Sequence, residues 1–153
     1  MVRETMEYID FFAFHTHPHA EPPDGLFAVN AEPKLEGITL YTSDRKLSQS
    51  LKNACASVLH EYQITFKEPV SRALLDDLKA VTVGVKALSD TRLRIIAKRS
   101  LMQTFSDLAT LHANPIKHLK LYEIHGIRLR ELGAGNLRKL TKKERNDLLR
   151  LVA

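Results

Sequence analysis

The chain has 153 residues, 44% of them hydrophobic and 27% charged, with a formal net charge of +5. That balance excludes a chain disordered throughout, and the length suffices for one core without disulfide or metal support. A single cysteine, Cys55, excludes an internal disulfide, and no apolar run reaches the roughly 18 residues of a membrane span, so the expectation is a cytoplasmic protein with no membrane partner.

In chain order, Glu7 to Phe14 is rich in aromatics and β-prone, and predicts a strand. Pro18, Pro22, Pro23 and Gly25 make residues 15–25 a loop. The short apolar runs Leu26–Val29 and Ile38–Leu40 read as two short strands or as an extended arm. After Thr42 the period changes. Ser43 or Asp44 suits an N-cap, and Leu47, Leu51, Ala54, Cys55, Val58, Leu59 and Tyr62 recur at helical spacing. Pro69 opens a second helix along Val70, Leu74, Leu78, Val81, Val85 and Leu88, weakened slightly by Gly84. Ser89-Asp90 caps a third over 91–113, with Leu93, Ile96, Leu101, Phe105, Leu108 and Leu111 as its apolar face. Asn114-Pro115 ends it and starts a fourth over 116–125, closed by Gly126. Residues 127–132 form a short helical or extended piece, and Gly133 to Asn136 a turn. Thr141-Lys142-Lys143-Glu144 is a capping box announcing a last helix. The expected fold is mainly α: one domain, 1–153, in which a compact bundle of four to five helices over 41–153 carries a short β-containing N-terminal arm, 1–40.

Charge is distributed unevenly. Residues 1–40 hold two basic and seven acidic side chains, a net of −5, whereas residues 115–153 hold ten basic and four acidic, a net of +6. Arg92, Arg94, Lys98 and Arg99 cluster in the third expected helix. Lys117, Lys120, Arg128, Arg130, Arg138, Lys139, Lys142, Lys143 and Arg145 crowd the C-terminal end, with Arg150 beyond them. Such charges supply most nucleic-acid affinity by meeting phosphates, although a merely solvated surface would carry them too. Ile116 to Arg145 can be drawn as a loose helix-turn-helix. The preferred expectation is therefore a non-enzymatic module that binds DNA or RNA through its basic C-terminal surface, without a cofactor.

The alternative chemistry is metallic. In extended backbone, alternate side chains share a face, so His15 and His17, joined by His19, could hold a divalent transition metal through their imidazoles, with Asp10, Glu21 and Asp24 nearby. Such an ion would acidify a bound water for hydrolysis. The layout of Ile9 to His17 resembles the opening strand of TatD-like and amidohydrolase metal enzymes, and His-x-His-Pro is similar to the start of a JAMM-type metalloprotease motif. The first resemblance implies a complete barrel of at least about 200 residues with later ligands. The second implies a serine and aspartate at a spacing that Ser43-Asp44 does not have. Neither is carried over to this chain. His60 and His112 fall near apolar faces, and His118 and His125 share a helix face in the expected fourth helix. Cys55 sits within an apolar stripe, which predicts a buried, inert thiol. Phosphate-loop, serine-hydrolase and Cys-x-x-Cys motifs are absent from the sequence. A third expectation is a helical adaptor or immunity-type protein whose acidic arm binds a protein partner.

Overall fold

A computed structural model describes residues 9–30, 32 and 35–152. The strand β1 (Phe11–Thr16) is followed by β2 (Phe27–Ala28) and β3 (Gly37–Thr42), then the helix α1 (Arg45–Cys55). Next come β4 (His60–Phe66), α2 (Arg72–Val81), β5 (Gly84–Ala87), β6 (Arg92–Ala97) and α3 (Met102–Leu111). The chain closes with β7 (Ile116–Ile124), β8 (Ile127–Arg128), β9 (Leu137–Lys139) and α4 (Lys142–Leu149). The described strands form one mixed sheet in the order β5-β6-β4-β7-β3-β1-β9, with β2 beside β3 and β8 beside β7.

The expected helical bundle is thus corrected to a sheet-rich α/β fold with four short helices among the described residues. Each long expected helix splits. The first stops at Cys55 and gives way to β4, whose alternate residues His60, Tyr62, Ile64 and Phe66 are buried. The second stops at Val81; Leu74 and Leu78 are buried, Val70 and Val85 pack at the core's edge, and Val81 and Leu88 are exposed. The third begins as β6, in which Leu93, Ile95 and Ala97 point inward between outward arginines. The fourth is the strand β7 throughout, so no helix-turn-helix forms between Ile116 and Arg145. In the stretches that form β4 and β6 a period of two lies beneath a passable period of three to four, and tertiary pairing favours the extended form.

The N-terminal stretch and the last helix follow expectation more closely. The strand expected over 7–14 is β1, shifted to 11–16; residues before Ile9 lie outside the described residues. Residues 17–26 carry no strand or helix, and Ile38–Leu40 lies inside β3. The described part of residues 1–40 is woven into the sheet: β1 pairs antiparallel with β3 on one side and with β9 on the other. The capping box forms, with Thr141 accepting from the Glu144 N–H and the Glu144 carboxylate accepting from the Thr141 N–H.

The four described helices bury apolar residues in one cluster with the inward residues of the strands. Leu47, Leu51, Cys55, Leu74, Leu78, Phe105, Ala109 and Leu148 meet Tyr62, Ile64, Leu93, Ile95, Leu121 and their neighbours there. Tyr62 and Phe105 pack edge to face at 5.0 Å, which fixes α3 against β4. No described helix is long and apolar enough to cross a membrane.

Candidate nucleic-acid interface

Because strand residues alternate, burying His60, Tyr62, Ile64 and Phe66 against the helices forces Glu61, Gln63 and Thr65 onto the opposite side of β4. The registers then decide what stands beside them. Gln63 lies opposite Arg94 on β6 and opposite Lys120 on β7, and Arg94 in turn lies opposite Lys86 on β5. Four adjacent strands therefore present a row Lys86–Arg94–Gln63–Lys120. With strands about 4.8 Å apart, the row spans roughly 14 Å. A second row, Arg92–Thr65–His118, lies beside it, and a third joins Ile96, Glu61 and Glu123. Lys86, Arg92 and His118 are exposed, and Gln63, Arg94 and Lys120 are half-buried among their neighbours.

Internal pairing divides these groups. The Arg94 guanidinium donates to Glu61 at 2.7 Å, which holds its pKa above the ordinary arginine value. Arg128 on β8 donates to Glu123. Arg92 donates to the Gln63 amide oxygen at 3.0 Å. Lys120 has no carboxylate partner among the described residues; its ammonium lies 5.1 Å from the centroid of the Tyr122 ring. Five cations, Lys86, Arg92, Arg94, Lys120 and Arg128, thus face two carboxylates. The described helices pack against the inward residues of these strands, and no described helix packs against this side.

The sequence-predicted basic residues are spread over β7, β8, β9, α4 and the segments between them, and the Arg138 guanidinium reaches back to the Arg128 carbonyl at 3.1 Å. Lys120 belongs to the row, Lys117 sits at the irregularity of β7 opposite the Thr65/Phe66 step, and Arg128 stands at the rim. Arg130 is exposed in the segment after β8. Arg138 on β9 is held by both Glu144 oxygens at 2.8 and 3.0 Å, and Lys139 pairs with Asp10 at 3.3 Å. Lys142 and Lys143 are exposed on α4, the latter 3.6 Å from Asp147, and the Arg145 side chain donates to the Ile9 carbonyl. Gln63, Lys86 and Tyr122 lie outside the sequence-predicted set; the alternation in Glu61-Tyr62-Gln63-Ile64-Thr65 is a signal for Gln63, whereas Tyr122 sits at a register shift that no alternation reveals.

The histidines separate. His15 is buried at the end of β1, where Nδ1 donates to the Leu132 carbonyl at 2.6 Å and Nε2 meets no partner among the described residues. His17 and His19 lie in the exposed loop with rings 5.4 Å apart, and the His19 N–H donates to His17 Nδ1. Among the described residues no three histidine, cysteine, aspartate or glutamate side chains group closely enough to hold an ion. Cys55 is buried, and burial pushes its thiol up to about 12.

The fold is shared with a pseudouridylate synthase. A crystal structure of such an enzyme superposes with a TM-score of 0.74 and 16% sequence identity, over 92% of this chain and 74% of that one. No protein-family model matches the chain, and no curated protein matches it in sequence. At this identity the likeness concerns the fold.

Proposed function

We propose that the protein binds RNA on the helix-free side of β5–β6–β4–β7. One observation carries the reading: the cross-strand row Lys86–Arg94–Gln63–Lys120, flanked by Arg92, on a sheet surface that no described helix covers. A polyanion is the partner such a row fits, because each phosphate neutralised there releases condensed counterions. The shared fold supports RNA over other polyanions, since the comparable structure is that of a pseudouridylate synthase. Lys117 and Arg128 extend the surface along β7 and β8. Lys142 and Lys143 stand exposed on α4, outside the cross-strand row.

The test is a titration of the full chain with structured RNA and with duplex DNA at about 50 and 200 mM salt, the span over which phosphate contacts weaken most visibly. Binding to RNA is expected at the lower salt, falling steeply at the higher. No detectable binding to RNA at the lower salt overturns the reading, and tighter binding to duplex DNA overturns the assignment to RNA.

A further inference from the structure

Resting on the reading of this sheet surface as an RNA-binding one, we propose that its occupant is an unpaired RNA strand, which draws Lys120 onto a phosphate and stacks a base on the Tyr122 ring that Lys120 covers in the free protein. The register of β4 and β7 creates the position. Tyr62 lies opposite Leu121 and Glu61 opposite Glu123, so Tyr122 is the extra residue of a bulge and has no partner on β4. Its ring is half-buried against the edge of the core, and its carbonyl accepts the Leu129 N–H at 2.9 Å. The ring is therefore held in place while its lid is a flexible lysine side chain.

The lid and the ring suit an unpaired strand. The ammonium 5.1 Å from the ring centroid is a weakly held cation that a phosphate can attract away, leaving an aromatic face beside a phosphate site. A duplex keeps its bases inside the stack, so it can offer the row phosphates but no base for Tyr122. Gln63, next to Lys120 in register, accepts from Arg92 through its amide oxygen, and its amide N–H groups are donors of the kind that an acceptor on a base edge or sugar can use. A row of roughly 14 Å on four strands has room for two or three nucleotides, the number that such a sheet surface stacks.

The experiment compares an unpaired oligouridylate of about twelve nucleotides, within the span of single-strand sites, with an RNA duplex of equal length. The proteins are the parent chain, Tyr122→Leu, Tyr122→Phe and Lys120→Gln. The parent is expected to bind the unpaired strand more tightly. Tyr122→Leu is expected to weaken that binding about tenfold, without changing its salt slope or the affinity for duplex, and Tyr122→Phe to restore it. Lys120→Gln is expected to lower the slope by about 0.7, one phosphate contact on a single strand. Unchanged duplex binding by Tyr122→Leu also shows that the variant is folded. Equal parent affinity for both RNAs, or equal loss on both with Tyr122→Leu, overturns the inference while the RNA reading stands. Failure of the parent to bind either RNA removes the RNA reading itself.

Discussion

Single residues fix how the sheet closes. Gly37 begins β3 with φ at 112°, and a Cβ there would lie 2.0 Å from the Leu121 carbonyl oxygen. The parallel meeting of β3 with β7 exists because no side chain intervenes. Gly37→Ala combines a disfavoured φ with a backbone clash and is expected to cost more than about 2 kcal/mol. Gly84→Ala is the contrast: nothing lies within 4 Å of its Cβ position and its φ is unexceptional. Chemical denaturation should show a large loss for the first and a neutral or stabilising change for the second; equal effects would sink the close-approach argument. His60 acts through its protonation. Burial lowers its pKa from 6.5, against the Val58 carbonyl that its ring meets at 2.7 Å and the charge of Glu32. The folded state refuses a proton that the unfolded chain takes up as the pH falls through about 6.5. The unfolded state then binds more protons, so stability declines as the pH falls below that value. His60→Phe, which keeps a ring against Tyr62, should flatten the decline between about pH 7 and 5. An unchanged slope would show that His60 is not its source.

The elements show which sequence signals sufficed. The last helix was legible because its signal is local: Thr141 and Glu144 cap each other whatever else packs nearby. Thr141→Ala is expected to cost about 1 kcal/mol, roughly 3 °C in the melting temperature of a chain this size. A change of a few tenths of a degree would mean that the cap is redundant. Burial works to raise the Glu144 pKa, but the Arg138 hydrogen bonds and the Thr141 N–H and hydroxyl outweigh it and hold the carboxyl below its ordinary value. The stability this lends is present above the ordinary glutamate pKa and is lost as the pH falls through the folded one. The turn at Gly133–Asn136 and the N-cap Asp44 were local signals too, and both form. The strands β4, β6 and β7 were not legible, because nothing local forbade a helix. Leu93 and Ile96 fit a helical face as well as Leu93 and Ile95 fit a strand face. Only pairing with residues some thirty positions away decides between them, as Glu61 with Ile96 and Gln63 with Arg94 show. The helix α3 starts without a side-chain cap of its own; Glu32 reaches its first turn from far along the chain, accepting from Met102 N–H and the Ser100 hydroxyl. The basic residues were seen as a set, but which of them share a surface depends on that same pairing.

At the scale of the whole molecule, net charge fits the proposed polyanion partner but does not say where it would bind. Both the sheet surface and the C-terminal patch are basic, and they differ in how much of their charge is already spent internally. On the sheet surface Arg94 is matched by Glu61 and Arg128 by Glu123, leaving Lys86, Arg92 and Lys120 to neutralise phosphates. Three contacts on a single strand correspond to a slope of about 2 in log affinity against log salt. Replacing Lys86, Arg92 and Lys120 together with glutamine should therefore remove a slope of about 2 and weaken RNA binding whatever the sequence. On the C-terminal patch Arg138 is held by Glu144, Lys139 by Asp10 and Lys143 by Asp147, each a pair that a phosphate would first have to break. Lys142→Gln with Lys143→Gln should change the slope by less than about 0.7, the value of a single contact. The two multiple variants, measured on one unpaired RNA across the same salt series, assign the interface by comparison with each other. A larger loss from the α4 pair than from the sheet triple would move the contact surface off the sheet and onto the C-terminal helix.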